Sequence, residues 1–106
     1  HGVIVNQIIC CITFQPSWSM SIMQLADKYR SAYPCAVVGV DSAAGEVGDD
    51  PAGHAEAFQK AKDLGLKVTV HAGEVSGPQN VLHAAFDFHA ARVGHGYSVA
   101  DGKKTT

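Results

Sequence analysis

Two histidines stand at the ends of apolar runs. Leu66-Lys67-Val68-Thr69-Val70 closes on His71-Ala72-Gly73-Glu74, and Val93-Gly94 closes on His95-Gly96, twenty-four residues after His71. Each run has the length of a short buried strand. A histidine at a strand's carboxyl end, followed by small residues, is placed to face a ligand. Two such strands in succession point to one metal or substrate site fed by several parallel strands. A neutral imidazole binds zinc, and a carboxylate with a pKa raised by burial exchanges a proton with substrate. His71 and Glu74, three residues apart, are the candidates for those roles. His95 is the second imidazole, and the glycines flanking it let a ligand approach the backbone. Asp41 closes another apolar run, 35–40, and is a candidate to orient an imidazole. Each residue also has a plainer reading: a histidine bonded to backbone, a solvated glutamate, a turn histidine, an aspartate that caps a turn. His54, His83 and His89 fall inside helical segments and read as surface or groove residues.

The elements that must hold these groups alternate. Residues 2–12 are rich in β-branched side chains and predict a strand. Ser17 or Ser19 can cap a helix running to about residue 31, with Ile22, Leu25, Ala26 and Tyr29 at helical spacing and Trp18 as its packing anchor. Pro34 blocks its continuation. The second strand, 35–40, ends at Asp41. Asp50-Pro51 starts a helix that turns Ala55, Phe58, Ala61 and Leu64 inward and stops at Gly65. Strand three is 66–71. A helix over 78–89 with Val81, Ala85 and Phe88 on one face leads to strand four, 91–94. Residues 98–106 form a polar tail, expected to be irregular. The order β-α-β-α-β-α-β predicts a parallel sheet with right-handed crossovers. Gln15, Asp41, His71, Glu74 and His95 then share its carboxyl edge, where α/β sheets and barrels carry their sites.

The bulk numbers narrow the function classes. A chain of 106 residues, 46% hydrophobic and 17% charged, has the composition of one small α/β domain. Its net charge is -2 and it has no Lys/Arg run, so nucleic acid and anionic membrane are not expected partners. The apolar stretch 3–12 is interrupted by Asn6 and Gln7, is too short to span a bilayer and has no basic flank. Cys10, Cys11 and Cys35 form neither a CxxC pair nor an even disulfide set, and read as buried reduced thiols of a cytoplasmic protein.

Several stretches together resemble the adenosine deaminase family. They are Ile8-Ile9-Cys10-Cys11 with Gln15-Pro16-Ser17-Trp18-Ser19, Val37-Val38-Gly39-Val40-Asp41, Gly53-His54 with Glu56-Ala57, Thr69 through Val75, and Arg92-Val93-Gly94-His95-Gly96-Tyr97. The resemblance runs from about residue 4 to residue 97. It implies a (β/α)8 TIM barrel of which this chain supplies roughly strands four to seven. It implies zinc-dependent hydrolytic deamination of adenosine or 2'-deoxyadenosine to inosine or deoxyinosine, with ammonia released. In those terms His71 is a zinc ligand and Glu74 the proton donor to the purine ring nitrogen. His95 positions and helps deprotonate the zinc-bound water. The related AMP deaminases usually carry cysteine where this chain has Ala72, which favours a purine nucleoside as the small-molecule partner.

Two departures qualify that implication. The family's substrate-contacting glycine aligns with Ala44 without a gap, or with Gly45 after a slip of one residue; Gly45 is preferred as the substrate-binding position. The family's first-strand His-x-His pair and last-strand aspartate pair, which supply the other zinc ligands, are absent. Asp49-Asp50 precedes His71 and reads as a helix cap. Four βα units are half a barrel with open sheet edges. The expectation is therefore an inactive fragment of a deaminase, with a non-catalytic half-barrel module or a related purine or AMP deaminase as alternatives.

Overall fold

The computed structural model describes residues 2–13, 15–33, 36–44 and 51–100. Strand β1 (Gln7–Ile12) is followed by a 3₁₀ turn (Pro16–Trp18) and helix α1 (Ser19–Ala32). Then come β2 (Val37–Ala43), α2 (Pro51–Asp63) and β3 (Lys67–Ala72). A short helix α3 (Pro78–Leu82) runs into a π-helical turn (His83–Asp87), and β4 (Arg92–His95) and α4 (Tyr97–Ala100) end the described chain. The four strands form one parallel sheet in the order β1-β2-β3-β4. Each strand is thus joined to its neighbour by a crossover, as the repeat predicts.

The pleat sends alternate side chains to opposite faces, and the helices cover one face only. Cys11, Val40, Val68, Val70 and Ala72 are buried together with Met23, Ala26, Ala57, Phe58, Ala61, Ala84 and Phe88. Burying Phe58 or Met23 completely contributes about 1.5–3 kcal/mol each, so the fold is held mainly from this side. On the other face, the register aligns Cys10, Asp41, Thr69 and Arg92 in one row across all four strands. No helix among the described residues is long and apolar enough to cross a membrane.

Several boundaries differ from the sequence reading. β1 begins at Gln7 instead of residue 2, and Val3, Ile4 and Val5 are strongly exposed. Gln7 pairs with Val37, where β2 begins, and among the described residues no strand pairs with 2–6. Neither Ser17 nor Ser19 caps α1, whose N-cap is Trp18, with no side-chain bond. Ser19 instead turns inward to His54. The buried stripe is Ser19, Met23 and Ala26, with Ile22 partly buried against the core, so Ile22 and Ala26 face inward as expected while Leu25 and Tyr29 are exposed. Trp18 is 54% exposed and anchors no core. β2 continues through Asp41 to Ala43. The helix expected over 78–89 widens at its end: the Phe88 N–H reaches the His83 carbonyl, five residues back, at 3.0 Å. Ala84, not Ala85, is the buried residue there. Cys10 is exposed and only Cys11 is buried. The expected tail begins inside α4. Pro34, Cys35, Gly45, Asp49 and Asp50 lie outside the described residues, as does 101–106.

Candidate active site

Three neighbouring strands deliver four acid–base side chains to one rim. β2 carries Asp41 two residues from its end, β3 ends at His71-Ala72, and β4 ends at His95. Glu74 follows β3 after one tight turn. Gly73 makes that turn possible: its φ is 76°, and a Cβ there would lie 2.7 Å from Val81 Cγ2 and 2.8 Å from Ser98 Oγ. The turn is pinned from the next loop, since the Ser98 N–H donates to the Gly73 carbonyl at 2.9 Å.

The four groups form a chain of contacts. His71 Nε2 lies 3.2 Å from Asp41 Oδ2. His71 Nδ1 lies 3.2 Å from His95 Nε2, which is itself 3.3 Å from Glu74 Oε2. Proton bookkeeping orients the neutral network. A bond to the Asp41 carboxylate requires the proton on His71 Nε2, so Nδ1 is the acceptor. His95 must then donate from Nε2, shared between His71 and Glu74. The solvent-accessible pairs, His71–His95 and His95–Glu74, are worth only about 0–1 kcal/mol each, too little to make the cluster a device for stability. Asp41 is 16% exposed, so its pair with His71 also carries a burial cost.

Two features mark the rim as strained or incompletely satisfied. Asp41 Oδ1 is buried with no hydrogen-bond partner among the described residues. Burial pushes the Asp41 carboxyl above its ordinary value, and the neighbouring His71 and Arg92 only partly offset this. His95 holds a left-handed backbone, φ 71°, in which an L side chain costs on the order of 1–2 kcal/mol. Such strain is characteristic of sites rather than of scaffolding. Ala44, just past β2, also has φ 71°, a conformation that favours glycine. Gly45, the expected substrate-binding position, lies outside the described residues.

The residues present make a partial fit to a metal. His71 presents one imidazole nitrogen at a strand end beside a carboxylate oxygen, but its proton must move before that nitrogen can ligate. Among the described residues no group of three or more His, Cys, Asp and Glu could hold an ion. This rim therefore offers part of a ligand set.

His54 corrects the sequence reading. It is fully buried and not a surface or groove residue. Its Nε2 donates to the Thr13 carbonyl at 2.8 Å, so Nδ1 accepts from Ser19 Oγ at 2.7 Å. Phe58 and Phe88 wall the ring. A signal was present: His54 is four residues before Phe58 and so lies on the same helix face. His83 pairs with Asp87 and lines a small cavity together with His71 and His54, and His89 pairs with Gln59. Tyr97, to which sequence reasoning assigns no role, packs its ring 5.6 Å from that of His95.

Comparison with known proteins gives a consistent picture. The family model described as adenosine deaminase matches residues 1–105. Adenosine deaminase of Mus musculus is 40% identical over 99 residues, covering 91% of this chain and 27% of that protein. A crystal structure of an amidohydrolase from Burkhoderia ambifaria with bound Zn superposes with TM-score 0.76 and 27% identity, over 90% of this chain and 26% of that one. An Arabidopsis structure, ADAL complexed with IMP, gives TM-score 0.71 at 29% identity, over 84% of this chain and 25% of that one. The chain thus spans about a quarter of the length of the relatives it matches.

Proposed function

The chain belongs to the adenosine deaminase family, and from that premise we propose that it forms one arc of the active site of a hydrolytic deaminase acting on adenosine or 2'-deoxyadenosine. The observation that carries this reading is the contact chain Asp41–His71–His95–Glu74 on one sheet edge. Hydrolytic deamination needs a proton delivered to the purine ring nitrogen and a water activated beside the amine-bearing carbon. Glu74 ends the contact chain, paired with His95, and its side chain is 53% exposed, which leaves the carboxyl accessible to a substrate ring to which it would donate. His95 sits between Glu74 and His71, where one ring can take a proton from water and hold the resulting charge beside a carboxylate. Asp41 fixes the orientation of the His71 ring. Zinc, when bound, would supply the Lewis acid that makes water nucleophilic near neutral pH. His71 would be one of its donors, and the others would come from beyond these residues. Ammonia and inosine or deoxyinosine are the products, and the cytoplasm is the setting proposed for this chemistry.

The likeness to a protein solved with IMP favours, as a second reading, a deaminase of related purines such as AMP. A chimera separates the two. This chain replaces its matching segment in the mouse enzyme, and ammonia release is followed with adenosine and with AMP. Adenosine turnover is expected to dominate. Glu74→Gln should keep zinc and substrate binding but lose about 10²–10⁴-fold in turnover. A zinc-loaded chimera that prefers AMP supports the second reading. Near-parental turnover by Glu74→Gln would falsify the role given to Glu74.

A further inference from the structure

We propose that Gly94 is a positioning residue for His71, because the space a side chain would fill at 94 is taken by the imidazole. Gly94 is the register partner of His71 across β3 and β4. A Cβ at position 94 would lie 3.2 Å from His71 Nδ1 and 3.3 Å from both Cε1 and Cγ. Those are the three nearest atoms, and all belong to the His71 ring. The His71 imidazole therefore lies over the backbone of β4, which brings Nδ1 within 3.2 Å of His95 Nε2.

Conformation does not account for this glycine. The described glycines with positive φ are Gly2, Gly65, Gly73 and Gly96, and Gly94 is not among them. An interior strand position with ordinary backbone favours alanine over glycine, so a glycine here marks a close approach. Gly96, two residues on, shows the opposite signature: φ is 71° and a Cβ would meet nothing within 4 Å. One glycine of the Gly94-His95-Gly96 motif provides space and the other provides conformation. The distinction matters because His71 is held from both sides, by Asp41 at Nε2 and His95 at Nδ1. Displacing the ring by a few tenths of an ångström lengthens at least one of two contacts that already stand at 3.2 Å, and takes up most of the about 0.5 Å within which such a constellation must be held. The consequence for catalysis rests on the deaminase reading above; the steric relation and its test do not.

A double-mutant cycle in the 106-residue chain provides the test. Gly94→Ala is measured with His71 present and in a His71→Ala background, with Gly96→Ala as the conformational control. Gly94→Ala should lower the melting temperature by roughly 2–6 °C when His71 is present and raise it when the ring is gone. Gly96→Ala should lower it by a similar amount in both backgrounds. The imidazole ¹⁵N resonances of His71 should shift in Gly94→Ala while the far-UV circular dichroism is unchanged. Equal effects of Gly94→Ala in both backgrounds, or unmoved His71 resonances, overturn the proposal. If Gly94→Ala alone fails to fold, the double variant decides: a folded double variant supports the steric relation and an unfolded one overturns it.

Discussion

The chain holds two kinds of histidine. His54 lies on the helix-covered side, where it makes one donor and one acceptor bond to uncharged partners and is enclosed by aromatic rings. It satisfies everything a neutral imidazole can offer. Through Thr13, whose hydroxyl donates to the Ala43 carbonyl at 2.9 Å, it also ties the ends of β1 and β2 to the start of α2. His71 and His95 stand on the uncovered rim, share one proton-bearing nitrogen between two acceptors, and lean on a carboxylate with a buried, unpartnered oxygen. The difference teaches how to separate scaffold from site. A histidine bonded to neutral partners within apolar walls builds the fold, whereas partly exposed histidines bonded to one another and to carboxylates, one of them on strained backbone, are available to a ligand.

Removing each ring tests the contrast most severely. His54→Ala leaves a cavity and strands the Ser19 hydroxyl and the Thr13 carbonyl, so it should cost about 3–5 kcal/mol. His71→Ala should cost less, about 1–2 kcal/mol, because its ring is 43% exposed and the main loss is the partner of Asp41. Denaturant midpoints of the two variants check this, and equal losses would break the distinction. A smaller effect of opposite sign is expected on the rim. His95→Gly releases the left-handed strain and should stabilise the chain by about 1 kcal/mol, read as a higher melting temperature. A lower melting temperature would mean that the His95 side chain supports the fold after all.

The smallest effect concerns Asp41. Burial raises its folded pKa above the unfolded value of about 3.9. Between the two values the folded chain keeps a proton that the unfolded chain has lost, so stability falls as pH rises through that window. Above it the penalty is fully present. Asp41→Asn should flatten this acid-side slope and melt slightly higher at neutral pH. A pH profile parallel to that of the parent would show that Asp41 is not penalised by burial.

Much of this was legible in the residues. The apolar runs before His71 and His95 became β3 and β4, and the convergence of Asp41, His71, Glu74 and His95 followed from parallel strands ending on one edge. Strands announce their ends through the residues that follow them. What stayed hidden depended on contacts distant in the chain. His54 looked like one more polar helix residue until Ser19, thirty-five positions earlier, supplied its partner. In α1, Ile22 and Ala26 face the core as their periodicity suggests, but Leu25 and Tyr29 do not, because the inward face is the one that carries Ser19 to His54. Val3-Ile4-Val5 have strand composition, but among the described residues no strand pairs with them, and composition alone cannot supply one.

The adjacent thiols carry a practical consequence. Because the pleat alternates, Cys10 emerges on the uncovered face and Cys11 on the packed one. Burial holds Cys11 at a pKa of about 11, which keeps it silent toward electrophiles at neutral pH. Cys10 shares its row with Asp41 and is exposed to reagent, although partial burial and that carboxylate raise its thiol pKa as well. The chain therefore carries a built-in footprinting probe: the rate at which Cys10 takes up an alkylating label reports directly on how far that face has been closed over.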